Sequence, residues 1–276
     1  MIDLLERLQF GIEKDGEALT AVVPSYRGDC TEMPDIAEEV ARVYGYENIP
    51  STRPAAPISK GEAGFHHDVG EKISSILSSS GLNETVTFSF MHPDQLKKLL
   101  FKDGDAVYNA VPILNPITED FPLMRTTLVP TLMDVLVRNQ AVKNPSVGIY
   151  EIAPVYRPKQ LPLTELPEQE FYVSGLLYGQ RTPAEWPAKA ENYDFYDVKG
   201  LVEAVLQGLG IQADLEVSDW APLHPGKAAR YVKDGKVLCD FGELHPKAID
   251  NYDVAGPVYV FECIWTAILP LVNLLP

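Results

Sequence analysis

The sequence predicts an α+β protein whose main element is an antiparallel sheet. Residues 147–156 form a nearly continuous apolar run, as expected of a strand that is covered on both faces. Residues 229–233 and 237–241 are predicted to be strands that flank Asp234-Gly235, a common hairpin dipeptide. Helical segments interrupt the strands at irregular intervals, which favours antiparallel strands over the regular alternation of a parallel sheet.

The size and charge of the chain limit what it does. With 276 residues it has room for one large domain or two unequal ones, and either buries a substantial core. It carries 39 acidic and 23 basic residues, a formal net charge of −16. Phosphate contacts supply most of the affinity for nucleic acid, and the densest basic cluster here is Lys97, Lys98 and Lys102. Binding of RNA or DNA by the chain alone is therefore disfavoured.

Residues 1–50 predict a small helix–hairpin–helix module. Asp15-Gly16 joins two short strands, and an amphipathic segment lies on either side of this hairpin. The pattern suits a winged-helix-like module, and we expect that it begins inside a longer chain. Residues 51–66 contain prolines and few apolar side chains, which predicts a linker. The predicted elements are a helix at 2–9, strands at 11–14 and 18–23, and a helix at 35–44.

Residues 67–264 predict a larger domain that holds the sheet. Apolar and polar residues alternate in the segment 85–90, which indicates a strand. The helix at 128–140 tolerates Pro130 in its first turn, and Thr126 or Thr127 can cap it. The other predicted elements are helices at 68–80, 93–101 and 196–209, strands around Val107 and at 171–178 and 258–261, and a polar loop at 181–192.

Neither end of the chain predicts contact with a membrane. The N-terminus, MIDLLERLQF, has acidic residues where a signal peptide needs basic ones. Residues 265–276 are apolar, but they are too few to span a bilayer and are broken by Pro270. We expect a truncated C-terminal element there. The three cysteines, Cys30, Cys239 and Cys263, are far apart, which predicts apolar packing residues in a reducing, cytoplasmic compartment.

Four acidic residues form a candidate metal site in the first module. Asp35 and Glu39 share one face of the predicted helix, Glu38 lies beside them, and Asp29 comes from the preceding loop. Converging carboxylates without basic partners repel one another, and a hard cation is one remedy. Helix capping from Asp35 to Glu38 explains the same residues, so both interpretations stay open.

The histidines are interpreted as structural. His66 and His67 lie at the end of the predicted linker and are expected to be solvated. His224 and His245 each precede a proline, and no nearby cysteine or acid completes a set of metal ligands. We expect these two side chains to hydrogen-bond within their loops.

Several segments resemble the beta chain of bacterial phenylalanyl-tRNA synthetase. LNPITED, LMRTTLVPTL and GIYEIAPVYR occur in that order within 114–157. VVPSYRGD and PDIAEEVARVYGYENIP are similar to the winged-helix-like module of the family. GLNETVTFSF, FYDVKG, LHPGKAA and FGELHP are similar to its synthetase-like core. The segments extend over nearly the whole chain, and their shared order makes the resemblance specific.

The resemblance implies a fold and a set of partners. The fold is a winged-helix-like module followed by a class II synthetase-like antiparallel sheet domain with flanking helices. The beta chain of the family pairs with a catalytic alpha chain in an (αβ)2 assembly that attaches phenylalanine to tRNA, and tRNA is bound only by the holoenzyme. Mg²⁺ is held at the alpha–beta junction through acids at the positions of Asp29, Asp35, Glu38 and Glu39, and we expect weak or no binding by this chain alone.

The sequence predicts that this chain is not itself catalytic. Arg157 stands where catalytic class II domains have an arginine for the ATP α-phosphate, but the next residues are Pro158-Lys159-Gln160 and include no acid. No glycine-rich segment ending in a second arginine follows. Arg125 is expected to pin a loop through Glu119 or Asp120 rather than bind phosphate.

Two other functions stay open at this point. A standalone synthetase-like ligase requires an ATP site, and a winged-helix nucleic-acid-binding regulator requires a basic recognition helix. The candidate helix at 35–44 is acidic, with Arg42 as its one arginine. By the resemblance, the helices at 68–80 and 128–140 face the alpha chain, so the lone chain is expected to expose an apolar patch and to self-associate.

Overall fold

The computed structural model describes residues 1–56, 61, 63–182, 186–187 and 189–274. The chain separates into two compact units, Met1–Gly61 and Glu62–Pro276. Parts of the predicted linker, of the polar loop at 181–192 and of the C-terminal element lie outside the described residues. Among the residues described, no helix combines the length and apolarity needed to cross a membrane.

The first unit is a helix, a hairpin and a second helix, as predicted. The two strands pair antiparallel, and Gly16 adopts the positive φ of +60° that the tight turn requires. Leu5, Phe10 and Cys30 form the buried centre of this unit. Its elements are α1 (Ile2–Arg7), β1 (Gly11–Asp15), β2 (Ala18–Val22), α2 (Met33–Tyr44) and a 3₁₀ helix at Tyr46–Asn48.

The second unit contains the remaining helices and strands. Its helices are α3 (Phe65–Ser79), α4 (Pro93–Lys98), α5 (Val129–Ala141), α6 (Phe195–Gly208), α7 (Pro246–Asn251) and α8 (Trp265–Ile268), with 3₁₀ helices at Ala106–Tyr108 and Leu269–Leu271. Its strands are β3 (Asn83–Glu84), β4 (Phe90–Met91), β5 (Leu123–Met124), β6 (Ser146–Arg157), β7 (Glu168–Thr182), β8 (Glu191–Asn192), β9 (Asp214–Val217), β10 (Leu223–Lys233), β11 (Lys236–Leu244) and β12 (Val258–Ile264).

The main sheet is antiparallel, as the sequence predicts, except at one edge. Its strand order is β3-β6-β7-β12-β11-β10-β9, and β8 pairs with β7 outside this path. Among the strands that the structure describes, β3 alone pairs in parallel, with β6. The hairpin of β10 and β11 turns at Asp234-Gly235, where both residues have positive φ. These pairings confirm the predicted antiparallel α+β architecture.

Helices cover both faces of this sheet, which explains why its strands are so apolar. One face packs against α3 and α6, through Val69, Ile73 and Leu77 of α3. Tyr150 of β6 lies in this layer, and its hydroxyl contacts Ser74 Oγ at 2.8 Å. The opposite face packs against α5 and α7. The helices are therefore fixed by apolar burial, the dominant favourable term in folding.

Two predicted strands are wrong in part. Residues 85–89 are not in a strand, and only Phe90–Met91 pairs, with β5. The alternation is real, but its apolar side points outward, so that Val86 is 92% and Phe88 is 70% exposed. The predicted strand around Val107 is a short 3₁₀ helix instead.

The cysteines differ from the expectation in one respect. Cys239 and Cys263 are directly opposite each other on β11 and β12 and form a disulfide. The expectation of separate, reduced side chains is therefore wrong for this pair. All three cysteines are buried among apolar residues, and Cys30 is a free thiol. Sequence spacing conceals the pairing because it depends on strand register.

Candidate functional site

Arg27 organises the acidic residues that the sequence singles out in the first unit. Its Nη2 atom donates to Asp29 Oδ2 at 2.7 Å, and its Nη1 atom donates to Glu39 Oε2 at 3.0 Å. Arg42 Nη2 adds a second contact to Glu39, at 2.6 Å. Glu38 lies one position earlier on α2 and is exposed. The structure thus groups Asp29 and Glu39 around arginine and leaves Glu38 outside this group.

These ion pairs fix the charge of both carboxylates. Hydrogen bonds from Arg27 and then Arg42 lower the pKa of Glu39 to about 2. The Arg27 guanidinium likewise holds the pKa of Asp29 far below its ordinary value. The premise that the four acids lack basic partners is therefore wrong, because two arginines already supply the positive charge that a cation would bring.

Asp35 serves the start of α2. Its Oδ2 atom accepts the backbone N–H groups of Thr31 and Glu32, each at 2.8 Å, and these bonds lower the pKa of Asp35. The helix begins at Met33, so the predicted capping from Asp35 to Glu38 is displaced by one turn. In the described part of the chain, no three His, Cys, Asp or Glu side chains converge as metal ligands do. The four acids do not by themselves fit a Mg²⁺ ion.

Arg125 is the centre of a buried polar cluster in the second unit. Its Nη1 atom lies 3.0 Å from Glu151 Oε1, and both side chains are almost completely buried. The same nitrogen donates to Thr87 Oγ1 at 2.9 Å, and that hydroxyl donates to Glu151 Oε2 at 2.8 Å. The expected partners Glu119 and Asp120 are exposed, so that prediction is wrong. Arg125 fixes the segment 85–89 to the sheet.

The guanidinium group of Arg157, at the end of β6, contacts neighbouring side chains of the same sheet. Its Nη2 atom donates to the Tyr172 hydroxyl at 2.9 Å, and its Cζ atom lies 5.9 Å from the centroid of that ring. Its Nε atom lies 3.4 Å from Glu170 Oε2. Sequence reasoning found no acid after Arg157 and missed Glu170, which the register of β7 brings beside it.

A row of polar residues, unrecognised in the sequence, crosses one face of the main sheet. Directly opposite residues in antiparallel strands point to the same face, so the pairing register aligns them. Each of them occurs among apolar residues of its own strand, which hid the row. From β6 to β9, the row consists of Glu151, Ser174, Glu262, Asp240, Arg230 and Glu216.

Glu262 is the buried carboxylate in the middle of this polar row. Both of its oxygens accept from the Thr127 hydroxyl at 2.9 Å, and Oε2 accepts from the Leu128 N–H at 2.9 Å. Burial raises the pKa of Glu262 to about 7. Thr126 donates instead to the carbonyl of Val107. The N-cap residue Leu128 makes no side-chain cap hydrogen bond, but the Thr127 hydroxyl accepts from the N–H of Val129, the first residue of α5, at 3.5 Å. The prediction of a cap is therefore wrong for Thr126 and holds for Thr127 through this one long hydrogen bond.

The histidines have structural roles, with one difference from the prediction. His224 Nδ1 accepts from the backbone N–H of Gly226 at 2.9 Å, and His245 Nδ1 accepts from Lys247 at 3.1 Å. These loop hydrogen bonds confirm the expectation. His66 is exposed, as expected of a solvated side chain, and differs from the prediction only in that its Nδ1 atom also accepts from Trp265 Nε1 at 3.1 Å.

An apolar groove of about 470 Å³ lies beside the segment 85–89. Val86 and Phe88 form one wall, and α5 forms the other with Val135, Arg138 and Asn139. By contrast, the outward face of α3 is polar. Large apolar side chains that are exposed together mark surfaces for protein association. The groove is therefore the best candidate interface in this unit.

The family comparison assigns a domain to each part of the chain. Residues 1–46 match the tRNA synthetase B5 domain, and residues 49–265 match the phenylalanyl tRNA synthetase beta chain CLM domain. The chain belongs to the phenylalanyl-tRNA synthetase beta-chain family. The resemblance that its motifs indicated is confirmed.

Three bacterial relatives of this beta-chain family illustrate the match, and each is named phenylalanine–tRNA ligase beta subunit. The one from Syntrophotalea carbinolica is 36% identical over 255 residues, which is 91% of this chain and 31% of that protein. Those from Geobacter metallireducens and Clostridium acetobutylicum are 35% and 33% identical over 95% and 99% of this chain. The chain spans about a third of the length of these beta-chain relatives.

The fold of this beta-chain family member is that of a class II synthetase. The pyrrolysyl-tRNA synthetase of Desulfitobacterium hafniense superposes with a TM-score of 0.56 and 16% sequence identity. The match covers 86% of this chain and 74% of that structure. At this identity the likeness establishes the architecture, and it confirms the predicted fold class.

Proposed function

We propose that the chain is a structural, non-catalytic part of a phenylalanine–tRNA ligase beta subunit. It pairs with the catalytic alpha subunit in an (αβ)2 assembly in the cytoplasm, and tRNA is bound only by that holoenzyme. The observation that carries the proposal is a synthetase fold whose Arg157 is bound by Tyr172 and Glu170 rather than free for phosphate. The names of the relatives support the assignment of the whole protein.

The groove between Val86, Phe88 and α5 is the proposed alpha-subunit surface. Its apolar side chains project outward because Thr87 is held inward by the Arg125–Glu151 pair. Burying such side chains against a partner removes apolar surface from water and so favours association, of which only the surplus over the entropic costs of binding appears as affinity. In the absence of the alpha subunit, the same groove favours self-association.

The chain is expected to form a complex with its cognate alpha subunit on a sizing column at micromolar concentration. The V86S/F88S double variant is expected to bind at least about tenfold more weakly, because it removes apolar area from the interface. L166S is the matched control, since Leu166 is 89% exposed on the loop between β6 and β7. Absence of any complex with the unsubstituted chain would contradict the proposed pairing.

The isolated chain is expected to form no aminoacyl-adenylate. Preorganised positive charge at the reacting phosphate supplies a large share of such acceleration, and Arg157 is already engaged. The measurement is phenylalanine-dependent exchange of pyrophosphate into ATP. Exchange above background that disappears in Arg157→Ala would replace the structural role with that of a ligase.

Any Mg²⁺ at Asp29, Asp35, Glu38 and Glu39 is proposed to be shared with the alpha subunit. The isolated chain should therefore bind it weakly, with no saturation below about 1 mM in a calorimetric titration. In the assembled enzyme, Asp29→Ala should weaken the dependence of activity on Mg²⁺ while the circular dichroism of the chain stays unchanged. Tight binding by the chain alone, or unfolding of Asp29→Ala, would contradict this proposal.

A further inference from the structure

A cleft of about 500 Å³ opens on the sheet face that carries the polar row. Glu262 and Asp240 lie at its base, and Arg157 and Tyr172 lie at one side. Small-molecule sites in proteins are commonly clefts of about 300–1,000 Å³ with a few converging polar groups. The cleft lies entirely within the second unit and is separate from the groove proposed for the alpha subunit.

Two carboxyl groups with few cationic partners lie at the base of the cleft. Glu262 is 7% exposed and accepts hydrogen bonds only from neutral groups in the described residues, the Thr127 hydroxyl and a backbone N–H. Asp240 is directly opposite Glu262 on the next strand. The nearest guanidinium nitrogen to Asp240 is Arg230 Nε, at 3.7 Å, which exceeds a hydrogen-bond distance. Arg230 also pairs with Asp219, and Asp240 accepts from the Ser218 hydroxyl. Buried carboxylates are normally paired with a cation, and here Arg230 is shared between Asp219 and Asp240, while the described residues give Glu262 only neutral donors.

Two further acids and two cationic side chains line the cleft, and the acid Asp219 is paired with Arg230. Asp105 and Asp219 stand at the rim with Lys102. Arg157 is committed to the Tyr172 hydroxyl and Glu170. The lining as a whole therefore carries four carboxylates and two cationic side chains. A metal ion is disfavoured, because no three ligand side chains converge among the described residues.

The walls of the cleft are aromatic. Trp220 and Phe101 stand edge to face, with ring centroids 6.2 Å apart, and Tyr172 lines the other side. Aromatic faces attract organic cations through the ring quadrupole, and the attraction strengthens when the cation is desolvated. Carboxylates at the base and rings at the walls are complementary to an ammonium group attached to an apolar body.

We propose that this cleft binds a small organic cation, a protonated primary amine on an aromatic or aliphatic body. The ammonium donates to Glu262 and Asp240, and the apolar body packs between Trp220 and Tyr172. The ammonium group favours the ionised form of the two carboxyl groups, which no neutral or anionic ligand of the same shape does.

The test uses three probes of one shape on the purified 276-residue chain: benzylamine, benzyl alcohol and benzoate. Titrations followed by calorimetry and by tryptophan fluorescence, to which Trp220 contributes, are expected to show benzylamine binding at least about tenfold more tightly than benzyl alcohol. Benzoate is expected not to bind. Equal affinities for the amine and the alcohol would overturn the proposal.

Variants locate the binding to the cleft. Glu262→Gln and Trp220→Ala are each expected to weaken benzylamine binding about tenfold, and Glu216→Gln, at the exposed end of the same polar row, to leave it unchanged. If Glu262→Gln does not fold, Asp240→Asn at the same base provides the comparison. Benzylamine binding that is insensitive to Trp220→Ala and to both carboxylate variants would show that the cation binds elsewhere.

Discussion

Replacing Arg125 by methionine is expected to lower the free energy of unfolding by about 3–5 kcal/mol. The substitution leaves the Glu151 carboxylate without its cation in a site where both side chains are almost completely buried. It also removes the hydrogen bonds from Arg125 to Thr87 and to the carbonyl of Pro154. The cost is dominated by the uncompensated buried charge rather than by the lost contacts.

The double variant R125M/E151M separates these two contributions. Replacing a buried ion pair by apolar side chains of similar volume is often close to neutral, so the double variant should recover most of the loss. Urea unfolding followed by circular dichroism gives both values, and Arg138→Met on the exposed side of α5 is the control. A loss below about 1 kcal/mol for Arg125→Met would mean that the Glu151 carboxylate keeps its hydration.

A second consequence of Arg125→Met concerns the alpha-subunit surface. Thr87 bonds to both Arg125 and Glu151, so loss of the arginine releases the segment that carries Val86 and Phe88. Complex formation should therefore weaken along with stability. The buried cluster links a core ion pair to the proposed interface through the hydroxyl and N–H of Thr87 and the carbonyl of Phe88.

The elements with strong local signals were predictable from the sequence. The hairpin at Asp234-Gly235 and the helix with Val198, Leu201 and Val202 on one side are both where the pattern places them. Turn chemistry and apolar periodicity are local properties, and they act over few residues. The antiparallel fold class followed from these elements.

The segment 85–89 shows where such reasoning fails. Alternation predicts two faces but does not say which one meets the core. Here the buried Arg125 and Glu151 hold Thr87 inward, and the apolar side chains of Val86 and Phe88 are exposed on the surface. The usual assignment of the apolar face to the core is reversed at this surface.

The candidate site residues show a second limit. The spacing of Asp35 and Glu39 on a helix was read correctly, but it could not reveal that Arg27 lies between Asp29 and Glu39. The polar row was invisible for a related reason, because Glu262 and Asp240 are 22 positions apart and meet only through strand register. Long-range pairing of charges is a property of the folded chain.

Glu262→Gln is expected to stabilise the chain strongly at alkaline pH and much less near pH 5. Burial raises the pKa of Glu262 from 4.5 to about 7, so the native state keeps its proton where the unfolded state has lost it. Between these values the native state binds more protons, and the free energy of unfolding of the original chain falls as pH rises. The stabilising effect of the protonated form is complete below about pH 4.5 and is lost as pH rises through about 7.

The pKa shift of Glu262 sets the size of this stabilisation. Near pH 8.5 the free energy of unfolding of Glu262→Gln should exceed that of the original chain by about 3 kcal/mol. Glutamine keeps an oxygen that accepts from Thr127 and Leu128 and carries no charge at any of these pH values. Burial is the largest cause of the raised pKa of Glu262, and the hydrogen bonds from Leu128 and Thr127 oppose it. Arg157 also lowers this pKa, while Asp240 raises it by repulsion.

Urea unfolding of both chains at about pH 5 and about pH 8.5 gives the difference directly, and histidine titration cancels because both chains share it. Glu216→Gln should show no such pH dependence, since Glu216 is exposed at the end of the same polar row. A pH-independent difference for Glu262→Gln would mean that Glu262 is already ionised in the native state near pH 5. In that case a cation must already lie beside it, and Arg157 would be the residue to substitute next.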